Sequence, residues 1–157
     1  MLSFLFWMDI LLIILFILCG FLLSRETNGI ILYFIGLFFS QVLNFFLKEW
    51  IKEPRPNPNS GYYDYGMPSN HSQTAFYSIG CLFAVYYYKN KETTIKKDEK
   101  ILITTILITI ALAIVWGRVY YQYHTLKQVL IGSIIGFLIG FFLFREMMKS
   151  IGFNQIK

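Results

Sequence analysis

The chain has few charges and few residues that bind metals. Only 15% of its 157 residues are charged, compared with roughly 25% in a typical soluble domain. Its two cysteines form no C-x-x-C pattern, and its two histidines are too few for a zinc site. A phosphate-binding loop motif is also missing, so nucleotide binding is not supported. We therefore expect neither a metal nor another cofactor, and no disulfide framework.

Apolar residues make up 56% of the chain and are grouped into long runs. The runs lie near residues 2–23, 29–47, 73–88, 101–117 and 129–144. The first two approach the roughly 20 residues that span a bilayer, and the others are nearer to about 16. We predict a single all-α domain over residues 1–157, a polytopic membrane bundle of about five transmembrane helices. The count falls to four if the first segment is removed.

The basic residues are divided unevenly between the two sides of such a bundle. With five spans, residues 24–28, residues 89–100 and the tail from Arg145 share one side, which carries nine basic residues, and the other side carries five. Because cytoplasmic loops are enriched in lysine and arginine, the poorer side is predicted to be lumenal or exterior. The net charge of +5 is thus attributed to topology and not to nucleic-acid binding. All four prolines also lie on the poorer side, which indicates a shaped loop.

Both histidines and three of the cations also fall on this poorer side. The clusters are Lys48 with Arg55; Pro68, Ser69, Asn70 and His71; and Arg118 with His124 and Gln128. The planar fork of arginine matches phosphate oxygens, and lysine supplies a point charge. The set therefore suits an oxyanion better than a metal, and we predict a phosphate site here.

In this order the clusters resemble the three motifs of the type 2 phosphatidic acid phosphatase (PAP2) superfamily. They are Lys48-x6-Arg55-Pro56, Pro68-Ser69-x-His71 and Arg118-x5-His124, within residues 48–56, 68–71 and 117–128. Three positions depart from the usual pattern, namely Asn70 in place of glycine, Gly117 in place of serine and Gln128 in place of aspartate. The segment around Gln128 is similar to the dolichyldiphosphatase branch, which carries glutamine there.

The resemblance implies a metal-independent phosphoryl transfer in two steps. Neutral His124 would attack phosphorus to form a phosphohistidine, and water would then release phosphate. His71 would protonate the leaving oxygen and then act as the base toward water. Gln128, one helical turn beyond His124, would accept from its Nδ1–H and fix the tautomer. The phosphate oxygens would be bound by Lys48, Arg55, Ser69, Asn70 and Arg118.

The implied substrate is a polyisoprenoid diphosphate. We expect hydrolysis of dolichyl diphosphate to dolichyl phosphate and inorganic phosphate on the lumenal face of the endoplasmic reticulum membrane. This reaction would recycle the lipid carrier for protein N-glycosylation. The alternatives are a phosphatase for undecaprenyl diphosphate or phosphatidate, and a non-catalytic membrane protein that binds lipid phosphates. The two histidines argue against the non-catalytic alternative, because binding alone needs only the cations.

The last apolar run carries glycine at every fourth residue, at Gly132, Gly136 and Gly140. Small residues at this spacing let transmembrane helices approach each other closely. The pattern predicts that the helix following His124 packs tightly against a neighbouring helix. Homodimerisation is the alternative use of the same glycines.

Overall fold

The computed structural model describes residues 9–19, 29–58, 63–88 and 96–150. Its helices are α1 (Asp9–Cys19), α2 (Gly29–Ile51), α3 (Asn70–Tyr88), α4 (Lys97–Tyr120), α5 (Leu126–Leu138) and α6 (Phe144–Ser150), with a π-helical segment (Ile139–Leu143) between the last two. Every regular element in these ranges is helical, which confirms the predicted all-α class. The predicted connection 24–28 lies outside the described residues, as do parts of the first apolar run, of the connection 89–100 and of the tail.

Among the described residues, three helical stretches are long and apolar enough to cross a membrane, namely Gly29–Ile51, Lys97–Tyr120 and Leu126–Ser150. They correspond to the second, fourth and fifth predicted runs. The described part of α1 is shorter, and α3, at the third predicted run, carries polar side chains that lower its hydropathy. The chain is a polytopic helical bundle, as predicted, and α3 contributes polar contacts to its interior.

The inner face of α2 is polar and its outer face is apolar. Ser40, Asn44 and Lys48 are buried at intervals of four residues, whereas five phenylalanines of this helix are more than half exposed. The Asn44 amide donates to Gln73 Oε1 of α3 at 2.8 Å, and Gln73 Nε2 donates to the Ser40 carbonyl at 2.7 Å. Such bonds join helices within a membrane, where an unpaired amide is costly. They hold α2 against α3.

Helix α3 also packs against the glycines of α5 and of the π-helical segment. Cβ atoms built on Gly132, Gly136 and Gly140 would lie only 1.9 to 2.5 Å from carbonyl oxygens of α3 and of the residue before it. On α3 itself, a Cβ built on Gly80 would lie 2.4 Å from the Phe137 carbonyl oxygen. The predicted close packing is therefore confirmed, and the neighbouring helix is α3 of the same chain.

Four helix ends meet at one end of this bundle. They are the last turn of α2 with Lys48, the start of α3 at Asn70, the last turn of α4 with Arg118 and the start of α5 after His124. Because α3 packs against both α2 and α5, the three sequence motifs are brought together at this end of the bundle.

Candidate active site

The segment after α2 crosses the end of the bundle. Helix α2 ends where Lys52 adopts a left-handed backbone with a φ of 53°. Pro54 follows, and proline lacks the N–H that a continuing helix would need. The segment is tied down further along, because the Gly66 amide donates to the Glu53 carbonyl at 2.8 Å. This path carries Arg55 to the same carboxylate, Asp64, that Lys48 contacts.

Lys48, Arg55 and Arg118, here called the cation cluster, are largely removed from solvent. The side chains of Lys48 and Arg55 are 9% and 6% exposed, and Arg118 is 1% exposed. The Arg118 guanidinium lies 4.7 Å from the centroid of the Tyr123 ring. Buried cations of this kind are strong binders of an anion, because little water competes for them.

Asp64 bridges two members of the cation cluster. Lys48 Nζ contacts its Oδ2, and Arg55 Nη2 and Nε donate to its Oδ1. Partial burial raises the pKa of Asp64, but the hydrogen bonds from Lys48 and Arg55 outweigh it and hold the pKa below the ordinary value. The carboxylate is therefore ionised. It accepts from the same Lys48 and Arg55 groups that would bind the oxygens of an anionic ligand.

A tight turn places His124 beside the cation cluster. The amides of Tyr123 and His124 donate to the Arg118 carbonyl at 3.0 and 3.1 Å, and Gln122 has a left-handed φ of 57°. Helix α5 then starts with a capping box, in which the hydroxyl of Thr125 accepts from the Gln128 amide and the side chain of Gln128 accepts from the Thr125 amide, each at 3.2 Å. The box points the Gln128 side chain back toward His124.

Both ring nitrogens of His124 have defined partners. Nδ1 lies 2.8 Å from the Gly66 carbonyl oxygen and 3.2 Å from Gln128 Oε1. Both atoms are acceptors, so Nδ1 carries the proton. Nε2 lies 2.9 Å from Arg55 Nη1, which can only donate, so the lone pair of Nε2 faces the cation cluster. The predicted contact with Gln128 is present, and Gly66 adds a shorter one.

His124 is uncharged in this environment. Burial, followed by the charges of Arg55 and Arg118, lowers the pKa of His124 from 6.5 to about 3. Gln128 acts in the opposite direction but brings no charge. A neutral imidazole whose lone pair faces a cluster of cations is suited to attack a phosphorus atom whose oxygens those cations bind.

His71 lies at the same end of the bundle, at the second residue of α3. Its side chain is 18% exposed, and its Nε2 lies 2.9 Å from Oδ1 of Asp9 in α1. The charges of Arg118 and Arg55 reach this ring. The second histidine of the chain thus lies beside the cation cluster, with a carboxylate partner that the sequence analysis did not anticipate.

Ser69 and Asn70 connect the second motif to the third. The Ser69 amide donates to the Gln128 carbonyl at 3.1 Å, and its hydroxyl accepts from the Ser72 hydroxyl at 3.1 Å. The side-chain oxygen of Asn70 accepts from Thr74 at 3.5 Å. These bonds fix the start of α3 against α5, and the role of both residues in phosphate binding stays a prediction.

Three acidic residues near the site were not predicted from the sequence: Asp9, Glu53 and Asp64. Glu53 accepts from Gln128 Nε2 at 3.0 Å and pairs with the exposed Lys127 at 2.8 Å, which fixes the orientation of the Gln128 amide. Asp64 could have been found, because it is the only acidic residue between Glu53 and Glu92. Among the residues that the structure describes, no group of three or more histidine, cysteine, aspartate or glutamate side chains is placed to hold a metal ion.

Comparisons with known proteins found relatives that are named as phosphatases of lipid phosphates. "Dolichyldiphosphatase 1" of Dictyostelium discoideum is 38% identical over 122 residues, covering 76% of this chain and 53% of the relative. "Dolichyldiphosphatase" of Saccharomyces cerevisiae is 32% identical over 141 residues, covering 83% and 56%. "Lipid phosphate phosphatase gamma" of Arabidopsis thaliana is 31% identical over 123 residues, covering 76% and 54%. This chain spans about half the length of these relatives.

A solved structure and a family model agree with these relatives. The crystal structure of a transmembrane PAP2 type phosphatidylglycerolphosphate phosphatase from Bacillus subtilis superposes with a TM-score of 0.71 at 26% identity, covering 95% of this chain and 73% of that one. The model of the PAP2 superfamily matches residues 29–151, which include all three motifs and the helices that carry them. The chain belongs to the PAP2 superfamily.

Proposed function

We propose that the chain is a metal-independent phosphatase that hydrolyses dolichyl diphosphate to dolichyl phosphate and inorganic phosphate. The observation that carries the proposal is the geometry of His124, whose protonated Nδ1 faces Gly66 and whose Nε2 lone pair faces the buried cation cluster. The names of the relatives support the choice of a dolichyl lipid over another lipid phosphate.

In the first step, the terminal phosphate of the substrate takes the place of the Asp64 carboxylate on Lys48 and Arg55. His124 Nε2 attacks phosphorus, the bond from phosphorus to the bridging oxygen breaks, and dolichyl phosphate leaves. The bridging oxygen takes its proton from His71. The cation cluster stabilises the equatorial oxygens, where negative charge is spread in the transition state. The positive charge that develops on His124 is balanced by Gly66 and Gln128 through Nδ1–H.

In the second step, water attacks the phosphohistidine. His71, now neutral, accepts the proton of the water, the bond between phosphorus and nitrogen breaks, and the lone pair returns to Nε2 of His124. Inorganic phosphate then leaves the cation cluster. Gln128 offers no full negative charge to the ring, so it orients His124 and stabilises the imidazolium less than a carboxylate would.

The cellular setting is part of the proposal. The cation cluster lies on the side of the bundle that has fewer basic residues, which favours a lumenal site in the endoplasmic reticulum membrane. There the reaction would return the lipid carrier to protein N-glycosylation. A homodimer is an independent prediction, and because Gly132, Gly136 and Gly140 face α3, a dimer that keeps this fold is expected to use another face.

The test is phosphate release by the purified chain in detergent, with dolichyl diphosphate, dolichyl phosphate, undecaprenyl diphosphate and phosphatidate as separate substrates. We expect dolichyl diphosphate to give the highest kcat/KM and the His124→Ala variant to give none. A higher kcat/KM on phosphatidate would reassign the chain to another lipid phosphatase. Binding of all four lipids without turnover of any would make it a lipid-phosphate binder.

A further inference from the structure

A carboxylate from outside the three motifs contacts the second histidine. Oδ1 of Asp9, in α1, lies 2.9 Å from Nε2 of His71, although the two residues are 62 positions apart in the chain. The side chain of His71 is 18% exposed and that of Asp9 is 57% exposed. The carboxylate thus lies at the open edge of the site and contacts the more buried ring.

In the part of the chain that the structure describes, the other charged groups that act on His71 are cations. Arg118 faces it from the end of α4, and Arg55 faces it from the segment between α2 and α3. Burial and both guanidinium groups oppose a proton on the ring, and Asp9 is the group that favours one. A general acid must hold that proton when the substrate arrives. The site therefore needs a negative charge next to His71.

We propose that Asp9 is a positioning residue for His71, and that its carboxylate favours the protonated imidazole and holds the ring in one orientation. While Nε2–H is held by Asp9, the proton that moves to the leaving oxygen is the one on Nδ1, and in the second step a proton from water returns to Nδ1. Asp9 does not touch the substrate. This inference rests on the proposed function, because it names the residue that positions His71, the general acid of that reaction.

The first measurement is independent of turnover. The two histidines are labelled with ¹³C and ¹⁵N. The NMR signal that remains in His124→Ala is assigned to His71, and the titration of that signal is followed in detergent micelles. An opposite charge at this distance shifts a titration midpoint by about one pH unit or more. We therefore expect the midpoint of His71 to fall by about one pH unit in Asp9→Asn. It should stay in place in Glu49→Gln, which neutralises an exposed carboxylate near the end of α2, and largely recover in Asp9→Glu.

The second measurement is the pH dependence of kcat/KM in the same variants. The alkaline limb reports loss of the required acid, so it should move to lower pH in Asp9→Asn and return in Asp9→Glu. An aryl phosphate with an acidic phenol needs little protonation of its leaving group, and its hydrolysis should be much less affected. Loss of the α1–α3 contact alone would lower both reactions equally at every pH.

Three results would overturn the inference. An unchanged midpoint of His71 in Asp9→Asn, with an active wild type, would remove the electrostatic role and leave the proposed function standing. A shifted midpoint with an unmoved pH–rate profile would show that the proton on His71 is not used in turnover. A wild type that releases phosphate from no substrate would remove the proposed function and the role of Asp9 together. If Asp9→Asn fails to fold, Asp9→Ser is titrated in its place, and an unchanged midpoint of His71 in that variant would overturn the inference in the same way.

Discussion

Gly136→Ala is expected to inactivate the site without touching it. A Cβ atom at this position would lie 1.9 Å from the carbonyl oxygen of Gln73, and 2.7 and 2.9 Å from two more backbone atoms of that residue. A helix backbone cannot rotate away as a side chain can. Helices α5 and α3 would therefore have to separate by about 1.5 Å to restore ordinary van der Waals contact.

This displacement reaches the reacting atoms directly. Helix α5 begins just after His124 and carries Gln128, whereas Arg55 lies in the segment that follows α2. A shift of α5 lengthens the 2.9 Å contact between His124 and Arg55. Misplacement of a reacting group by about 1 Å costs roughly 100-fold in rate. We therefore expect kcat for Gly136→Ala to fall by about 100-fold or more.

The assay is phosphate release from dolichyl diphosphate by purified, folded protein, with thermal unfolding recorded in parallel. Ile134→Ala is the matched control, because Ile134 lies on the same helix with 58% of its surface exposed. That control should stay close to wild type. Wild-type kcat in Gly136→Ala, at unchanged thermal stability, would refute the claim that contact between α5 and α3 positions His124.

The remaining predictions concern the charges, the histidines, metal and topology. Asp64→Asn should tighten competitive inhibition by inorganic vanadate by about 3- to 10-fold, since two ion pairs no longer compete with the anion; unchanged inhibition would mean that the carboxylate does not occupy the phosphate position. His124→Ala should abolish the trapped phosphoenzyme, whereas His71→Ala should lose about 100- to 10,000-fold and be rescued by an aryl phosphate with an acidic phenol; the opposite pattern would exchange the two roles. Activity should persist in excess EDTA, and abolition with rescue by a divalent ion would contradict the mechanism. In a variant without its two cysteines, Tyr63→Cys should be labelled only from the lumen and Lys96→Cys only from the cytosol, and reversed labelling would place the site on the cytosolic face.

Much of this architecture follows from patterns that are local in the chain. Apolar runs of near-spanning length predict helices, because a backbone inside a bilayer must pair its own polar groups. The glycines at every fourth residue predict one face of close approach, since residues four apart lie on the same side of a helix. Alternation of the spans then places Lys48, His71 and His124 on one side of the membrane. The contact between His124 and Gln128 is also local, one turn apart, and it was predicted.

The contacts that complete the candidate site depend on tertiary structure, because their partners are far apart and lie in segments without periodicity. The Gly66 carbonyl that holds Nδ1 of His124 belongs to the connection between α2 and α3, 58 positions away in the chain. Asp64 meets Lys48 and Arg55 only because this connection brings its carboxylate to the end of α2. Asp9 contacts His71 only because the described part of α1 begins at the same end of the bundle as α3. Periodicity determines which face of a helix is buried. The packing of the whole bundle determines which helix covers that face, and which loop carboxylate contacts a given cation.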